Sequence, residues 1–406
     1  MTTEVDRLLR RWYLGQLSVL MGAMLGELFI VKNGAYFASG GLIIILLYLG
    51  GLIPAFELDA TKRDWPRFRR FNHYFQASFQ LIFLPFFLMV LVDLLRQLPG
   101  LDEQGLIAMA FFYMIFMFVP VIYITMRPVQ AVIGRILLLI TTVFSGLIGA
   151  QATFLALPVL KAPTVFGMVS DSGILGAFGF VLTVGILLMT WGFRWPTWRL
   201  NRQVNWYWLA LIAIAGIAFV IWNAFGVGDS WRTTFTQFDF KMQAASWKMF
   251  LTGLEPGIAE EWLYRFAVLA LLLKAFDQHR HQLDWAVALS SALFGLWHVT
   301  NTLAGQSWSA TLEQMIFAAS LGAFLAVSYL YSGSLLVPML IHAGVDILSM
   351  MASGSQSMAK PDAFEWQTIL FTVIVFGLLT IFFLTGKRRQ VMQAQVDRYL
   401  APLDLK

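Results

Sequence analysis

Apolar segments long enough to cross a bilayer recur from one end of this sequence to the other. Crossing the hydrocarbon core takes about 20 residues of helix, and short polar connections separate runs of about that length. Of the 406 residues, 59% are hydrophobic and 13% are charged, whereas soluble domains are about half apolar and a quarter charged. Backbone groups in lipid must be satisfied within their own segment, so the runs predict helices. The chain is therefore predicted to be an all-α, polytopic transmembrane bundle.

The spacing of the apolar runs predicts about twelve spans. The first run continues without a small-residue cleavage site, so it is interpreted as an uncleaved span. Basic clusters between the runs follow the positive-inside rule. We therefore expect a multi-pass protein of a bacterial inner membrane with both termini in the cytoplasm. The predicted spans are 13–31, 37–57, 74–95, 105–126, 136–158, 173–193, 206–226, 255–274, 284–303, 311–332, 335–352 and 364–386.

The net charge of +5 is carried by basic clusters that adjoin the spans. This placement is typical of a protein whose partner is the lipid bilayer, and it excludes a stripe for binding nucleic acid. The chain has no cysteine, which excludes a disulfide framework, thiolate metal sites and a cysteine nucleophile. The clusters are Arg7/Arg10/Arg11, Lys62/Arg63/Arg67/Arg69/Arg70, Arg127/Arg135, Arg194/Arg199/Arg202 and Lys387/Arg388/Arg389.

Ionisable residues within spans are concentrated in the C-terminal half, where each costs about 2.5–3.5 kcal/mol on insertion scales. Between the two halves, 227–254 mixes charged and aromatic residues and is interpreted as a loop with an interfacial helix. We predict an N-terminal transmembrane bundle over 1–235, a catalytic core over 236–353, and a last span with a cytoplasmic amphipathic tail over 354–406. The ionisable residues of the later spans are Glu255, Glu260, Glu261, Arg265, His298, Glu313, His342 and Asp346.

The first of three short motifs is Glu260-Glu261-Trp262-Leu263-Tyr264-Arg265, an EExxxR pattern. Residues four apart on a helix share a face and lie about 6 Å apart along the axis. Glu261 and Arg265 are therefore expected to form an ion pair. Glu260 is rotated by about 100° from its neighbour, so it is expected to face the bundle centre without the arginine.

The other two motifs supply imidazoles from later spans. Phe294 to His298 spells FxxxH, and His342 to Asp346 spells HxxxD. Glu260 with His298 could bind and deprotonate a water, and His342 could donate to the oxyanion of a tetrahedral intermediate. Asp346 could orient His342 or, if protonated, donate as well. These parts suit a hydrolase that needs no nucleophilic side chain.

In this order, the three motifs resemble those of the CAAX-protease and bacteriocin-processing (CPBP, or Abi) family of intramembrane glutamic endopeptidases. The resemblance covers about 240–352 and implies cleavage of a membrane-associated peptide or protein. It assigns water activation to Glu260 and His298, and the oxyanion site to His342 and Asp346, where the family commonly has Asn. The sequence has no HExxH motif, which favours a site without metal or other cofactor. The implied catalytic set is Glu260, Glu261, Arg265, His298, His342 and Asp346.

Three alternatives stay open at this stage. A scaffold or regulator of a partner membrane protein would explain the long N-terminal bundle and the Asp at 346. A transporter would suit about twelve spans, although the sequence shows no internal repeat. A metalloprotease would use Glu260, His298 and His342 as ligands.

Overall fold

A computed structural model describes residues 3–31, 34–56, 67–143 and 165–401. Within these ranges the regular secondary structure is entirely helical, apart from one isolated β-bridge between Gly226 and Phe238. The all-α prediction is therefore confirmed. Lys62 and Arg63, the second half of predicted span 136–158 and the end of the predicted tail lie outside the described residues. The chain forms two compact units that divide between Gly192 and Phe193.

The first unit is a helical bundle whose middle helices carry polar residues in their interior. A π-helical turn (Ile122–Met126) continues directly from α5. The helices are α1 (Thr3–Val31), α2 (Gly34–Phe56), α3 (Arg67–Arg96), α4 (Glu103–Phe116), α5 (Phe118–Val121), α6 (Val132–Thr142), α7 (Val165–Asp171) and α8 (Ile174–Thr190).

Polar side chains spaced four residues apart on α3 join it to its two preceding helices. Gln80 Nε2 donates to Tyr13 Oη at 2.6 Å and to Gln76 Oε1 at 2.8 Å. Asn72 Nδ2 donates to the Gly50 carbonyl at 2.8 Å. In lipid the hydrophobic effect does not drive helices together, so close packing of small residues and hydrogen bonds between polar side chains do so instead. This ladder therefore holds α1, α2 and α3 to one another.

The second unit contains the three motifs. Its first helices are α9 (Trp206–Phe225), α10 (Trp231–Thr236) and α11 (Trp247–Glu261), and α11 runs through a π-helical segment (Trp262–Val268) into α12 (Leu269–Ala275). A 3₁₀ turn (His298–Thr302) follows α13. The remaining helices are α13 (Gln282–Trp297), α14 (Trp308–Ser332), α15 (Leu336–Ser353), α16 (Ala363–Phe383) and α17 (Gly386–Leu400).

The second unit begins at Phe193. The sequence analysis placed the start of the catalytic core later, at residue 236. Helix α9 packs on α15, since a Cβ at Gly216 would lie 2.8 Å from the Ile341 side chain and one at Gly344 would lie 3.4 Å from Val220. Charge distribution could not indicate this packing because α9 has no Asp, Glu, Lys, Arg or His. The functional boundary at 236 stays a prediction.

Seven helices of the described residues are long and apolar enough to cross a membrane. The prediction of about twelve spans is therefore not confirmed. Predicted span 284–303 illustrates the reason, because α13 has only 16 residues and extends about 24 Å, against a hydrocarbon core of about 30 Å. The helices are Glu4–Ile30, Arg67–Arg96, Ala108–Met126, Trp206–Phe225, Trp308–Ser332, Leu336–Ser353 and Ala363–Phe383.

Two glycines let α11 approach α15 closely and so place the first motif against the third. A Cβ at Gly253 would lie 2.6 Å from the Ile347 backbone, and one at Gly257 would lie 2.6 Å from Ala343 Cβ. Both glycines are needed for space, since neither has a positive φ angle. They occupy one helix face four residues apart, the spacing of close helix contacts in membranes.

Gly253→Ala is expected to separate α11 from α15 and to lower stability by about 1–3 kcal/mol, because backbone atoms rather than flexible side chains surround the site. The measurement is the melting temperature of the purified protein in lipid or detergent. Gly377→Ala on α16 is the matched control, since nothing lies within 4 Å of its Cβ position. Equal melting temperatures for the two variants would contradict the close approach.

Candidate active site

The first motif lies where α11 changes from α-helical to π-helical hydrogen bonding. Glu260 and Glu261 end the α-helical part, and Arg265 lies within the π-helical segment Trp262–Val268. Single π turns inside helices are frequent at functional sites. Arg265 Nε is 2.9 Å from Glu261 Oε2, and both side chains are 0% exposed. The ion pair expected from the four-residue spacing is present.

His342 connects the ion pair to the other carboxylates. Its Nδ1 is 2.8 Å from Glu261 Oε1, while its Nε2 is 3.3 Å from Asp346 Oδ2 and 3.8 Å from Glu260 Oε2. A histidine donates from both ring nitrogens only as the imidazolium, so this arrangement of carboxylates favours the protonated ring. The spacing of His342 and Asp346 on α15 produces the contact that a shared helix face predicts.

Exposure separates the two glutamates of the first motif. Glu261 is fully buried between Arg265 and His342. The side chain of Glu260 is 20% exposed, and that of Asp346 is 24% exposed. Of the three carboxylates in the predicted set, Glu260 and Asp346 are therefore the two that a molecule from outside the bundle can reach.

His298 joins the cluster from the end of α13. Its Nδ1 is 3.0 Å from the Phe294 carbonyl oxygen. A carbonyl only accepts hydrogen bonds, so Nδ1 carries the proton, and in the neutral ring Nε2 presents a lone pair. The Phe294 ring has edge contacts with both imidazoles, at centroid distances of 5.1 Å to His298 and 5.6 Å to His342. All six predicted site residues thus belong to one cluster.

Two aromatic residues of the second motif contribute to the site, although the sequence analysis gave them no role. Trp297 Nε1 donates to Glu260 Oε1 at 3.1 Å. The Arg265 guanidinium lies over the Phe294 ring, 4.3 Å from its centroid. The indole N–H can only donate. The position of Trp297 next to His298 in the sequence could therefore have predicted a hydrogen bond from Trp297 to a carboxylate of the site.

The residues named for the metalloprotease alternative have other partners in the structure. Over the part of the chain that the structure describes, no group of three or more His, Cys, Asp or Glu side chains is placed to hold a metal ion. Both ring nitrogens of His342 face carboxylates, and Nδ1 of His298 is engaged by the backbone.

Comparison with known proteins finds one family match, and it lies within the second unit. The sequence model described as type II CAAX prenyl endopeptidase Rce1-like matches residues 242–348, a segment that contains all three motifs. Searches of curated proteins and of solved structures gave no match to the chain. Residues 242–348 are thus an Rce1-like type II CAAX prenyl endopeptidase domain, the helical membrane family that the three motifs indicate.

Proposed function

We propose that this chain is an intramembrane endopeptidase that hydrolyses a peptide bond in a membrane-associated protein or peptide. The observation that carries the proposal is the unequal use of the two adjacent glutamates. Arg265 is committed to Glu261, which leaves Glu260 as a partly exposed carboxylate with no arginine of its own. Trp297 fixes one oxygen of Glu260, and the other oxygen faces His342. A carboxylate held in this way is suited to act as a general base.

In the proposed reaction, Glu260 takes a proton from a water that the Nε2 lone pair of His298 holds. The water oxygen then bonds to the carbonyl carbon of the substrate, and the carbonyl oxygen becomes an oxyanion. The Nε2–H of His342 donates to that oxyanion, and such donors are typically worth about 10²–10³-fold in rate. Glu260 finally returns its proton to the leaving amine as the carbon–nitrogen bond breaks.

The remaining members of the set support these groups. Glu261 holds His342 through Nδ1, and Arg265 balances the charge of Glu261. An ionised Asp346 can only accept hydrogen bonds, so at 3.3 Å from Nε2 it orients His342. In this respect the site departs from family members with Asn at the same position.

The family description supports a substrate class within the proposal. A peptide whose C-terminus carries a prenyl group would enter the site from the bilayer, and other membrane-anchored peptides share that route. We also propose that the protein resides in a bacterial inner membrane with both termini in the cytoplasm, and that the first unit binds a partner membrane protein or the substrate.

His298→Gln is expected to lower the cleavage rate by about 10²-fold or more, because the amide offers no basic lone pair for the water. The assay measures cleavage of membrane-tethered peptides, one of them prenylated, by the purified protein in liposomes. His279→Gln is the matched control, since His279 is exposed in the turn between α12 and α13 and should leave the rate unchanged.

Two outcomes would redirect the proposal. Unchanged cleavage by His298→Gln would remove His298 from the chemistry, and full biological activity without any cleavage would favour the scaffold or regulator. An added strong chelator tests the metal-dependent alternative in the same assay. The proposal expects equal rates with and without it.

A further inference from the structure

The C-terminal helix α17 is a fixed part of the second unit. Arg389 donates to both oxygens of Asp284, at 2.6 and 3.0 Å. Arg398 donates to Asn201 at 3.1 Å, near the opposite end of the helix. The side chain of Met392 is buried between these two anchors. The amphipathic tail predicted from the sequence therefore docks on the bundle that holds the site, although it lies outside the matched family segment.

A small cavity is lined both by Arg265 of the ion pair and by residues of α17. Arg265 lines it from the π-helical segment, Tyr399 lines it from α17, and Tyr329 and Gln395 complete its polar lining. Its volume holds about one water molecule. The other lining residues are apolar, so a molecule inside would depend on the few polar groups that face it.

Two buried polar groups at this cavity have no hydrogen-bond partner among the described residues. Arg265 Nε is 2.9 Å from Glu261 Oε2 as an ion pair without hydrogen-bond geometry, and Nη1 and Nη2 make no hydrogen bond either. The Tyr399 hydroxyl is likewise buried without a partner. Burial raises the pKa of Tyr399 well above its ordinary value, so the hydroxyl keeps its proton. Buried polar groups in native proteins are nearly always satisfied, and an ordered water is the usual partner when the protein supplies none.

We propose that one buried water bridges the Arg265 guanidinium and the Tyr399 hydroxyl, and that Tyr399 is thereby a positioning residue for the site. The water accepts from Nη of Arg265 and donates to Tyr399 Oη. The bridge fixes the guanidinium plane, and through Glu261 it fixes the ring of His342. The effect on catalysis rests on the proposed protease function, whereas the bridge itself does not.

Tyr399→Phe tests the bridge through the sign of its effect on stability. An unsatisfied buried hydroxyl costs stability, so removing it without a bridge would raise the melting temperature. Removing a bridging hydroxyl takes away the acceptor of the water and weakens the hold of the water on Arg265. The melting temperature should then fall by about 2–4 °C. An unchanged or raised melting temperature overturns the proposal.

Tyr331→Phe is the matched control. Tyr331 is also buried in this unit, and its Oη accepts from the Asn205 N–H at 3.0 Å, away from the cavity. Both substitutions are repeated in an Arg265→Lys background. The bridge predicts that the effect of Tyr399→Phe largely disappears there, while that of Tyr331→Phe persists. Equal persistence of both effects overturns the bridge. If Arg265→Lys does not fold, the direction of the change in melting temperature caused by Tyr399→Phe alone decides.

The positioning role has its own measurement. Tyr399→Phe should lower kcat by about threefold to tenfold with KM unchanged, and Tyr331→Phe should alter neither constant. A melting temperature that falls while kcat stays the same would keep the water and reject the positioning role. If the parent protein cleaves no peptide, the proposed function fails, but the stability test of the bridge still stands.

Discussion

Glu260→Gln is expected to lower peptide cleavage by about 10²–10⁴-fold and to leave the melting temperature close to that of the parent protein. The amide matches the carboxylate in shape, and its carbonyl oxygen can still accept from Trp297 Nε1. An amide cannot take a proton from water, so the base is lost. His342 keeps Glu261 and Asp346 as its nearer partners. The substitution therefore leaves no unpaired charge in the bundle.

The measurement compares initial cleavage rates in liposomes at equal amounts of folded protein. Glu4→Gln is the matched control, because Glu4 is an exposed glutamate on α1 and its loss should change neither rate nor stability. A Glu260→Gln protein that cleaves as fast as the parent would exclude Glu260 as the base. A loss of activity that accompanies unfolding would show instead that Glu260 is structural.

Helical spacing alone predicted the parts of the site that lie within one helix. The four-residue separation of Glu261 and Arg265 predicted their ion pair, and that of His342 and Asp346 predicted their contact. The rotation of Glu260 relative to Glu261 predicted that Arg265 would take only one of the two glutamates. These expectations depend only on helix geometry, which the apolar pattern establishes.

Features that depend on contacts between helices were not predictable in the same way. The π-helical turn after Glu261 and the bond from Trp297 to Glu260 involve packing that residue spacing does not encode. The docking of α17 is likewise a long-range contact. The span count is not confirmed for a related reason, since hydropathy does not show where a helix such as α13 ends. The catalytic roles themselves stay predictions until the substitutions are measured.

Arg265→Leu is expected to destabilise the protein by about 3–5 kcal/mol, the usual cost of removing one partner of a buried ion pair. Both Arg265 and Glu261 are 0% exposed, so bulk water cannot replace the guanidinium beside the remaining carboxylate. Such a loss is a large fraction of the stability of about 5–15 kcal/mol that folded proteins have. A large fall in melting temperature and in the yield of folded protein is the expected observation.

The matched comparison is Lys274→Ala, which removes an ion pair with Asp277 whose side chains are 55% and 37% exposed. Exposed pairs contribute about 0–1 kcal/mol, so this variant should melt close to the parent. Glu261→Gln added to Arg265→Leu should recover part of the lost stability. The glutamine is neutral, and its carbonyl oxygen can still accept from Nδ1 of His342, which is 2.8 Å from Glu261 Oε1. If the double variant is as unstable as Arg265→Leu, lost packing over Phe294 rather than an unpaired carboxylate accounts for the loss.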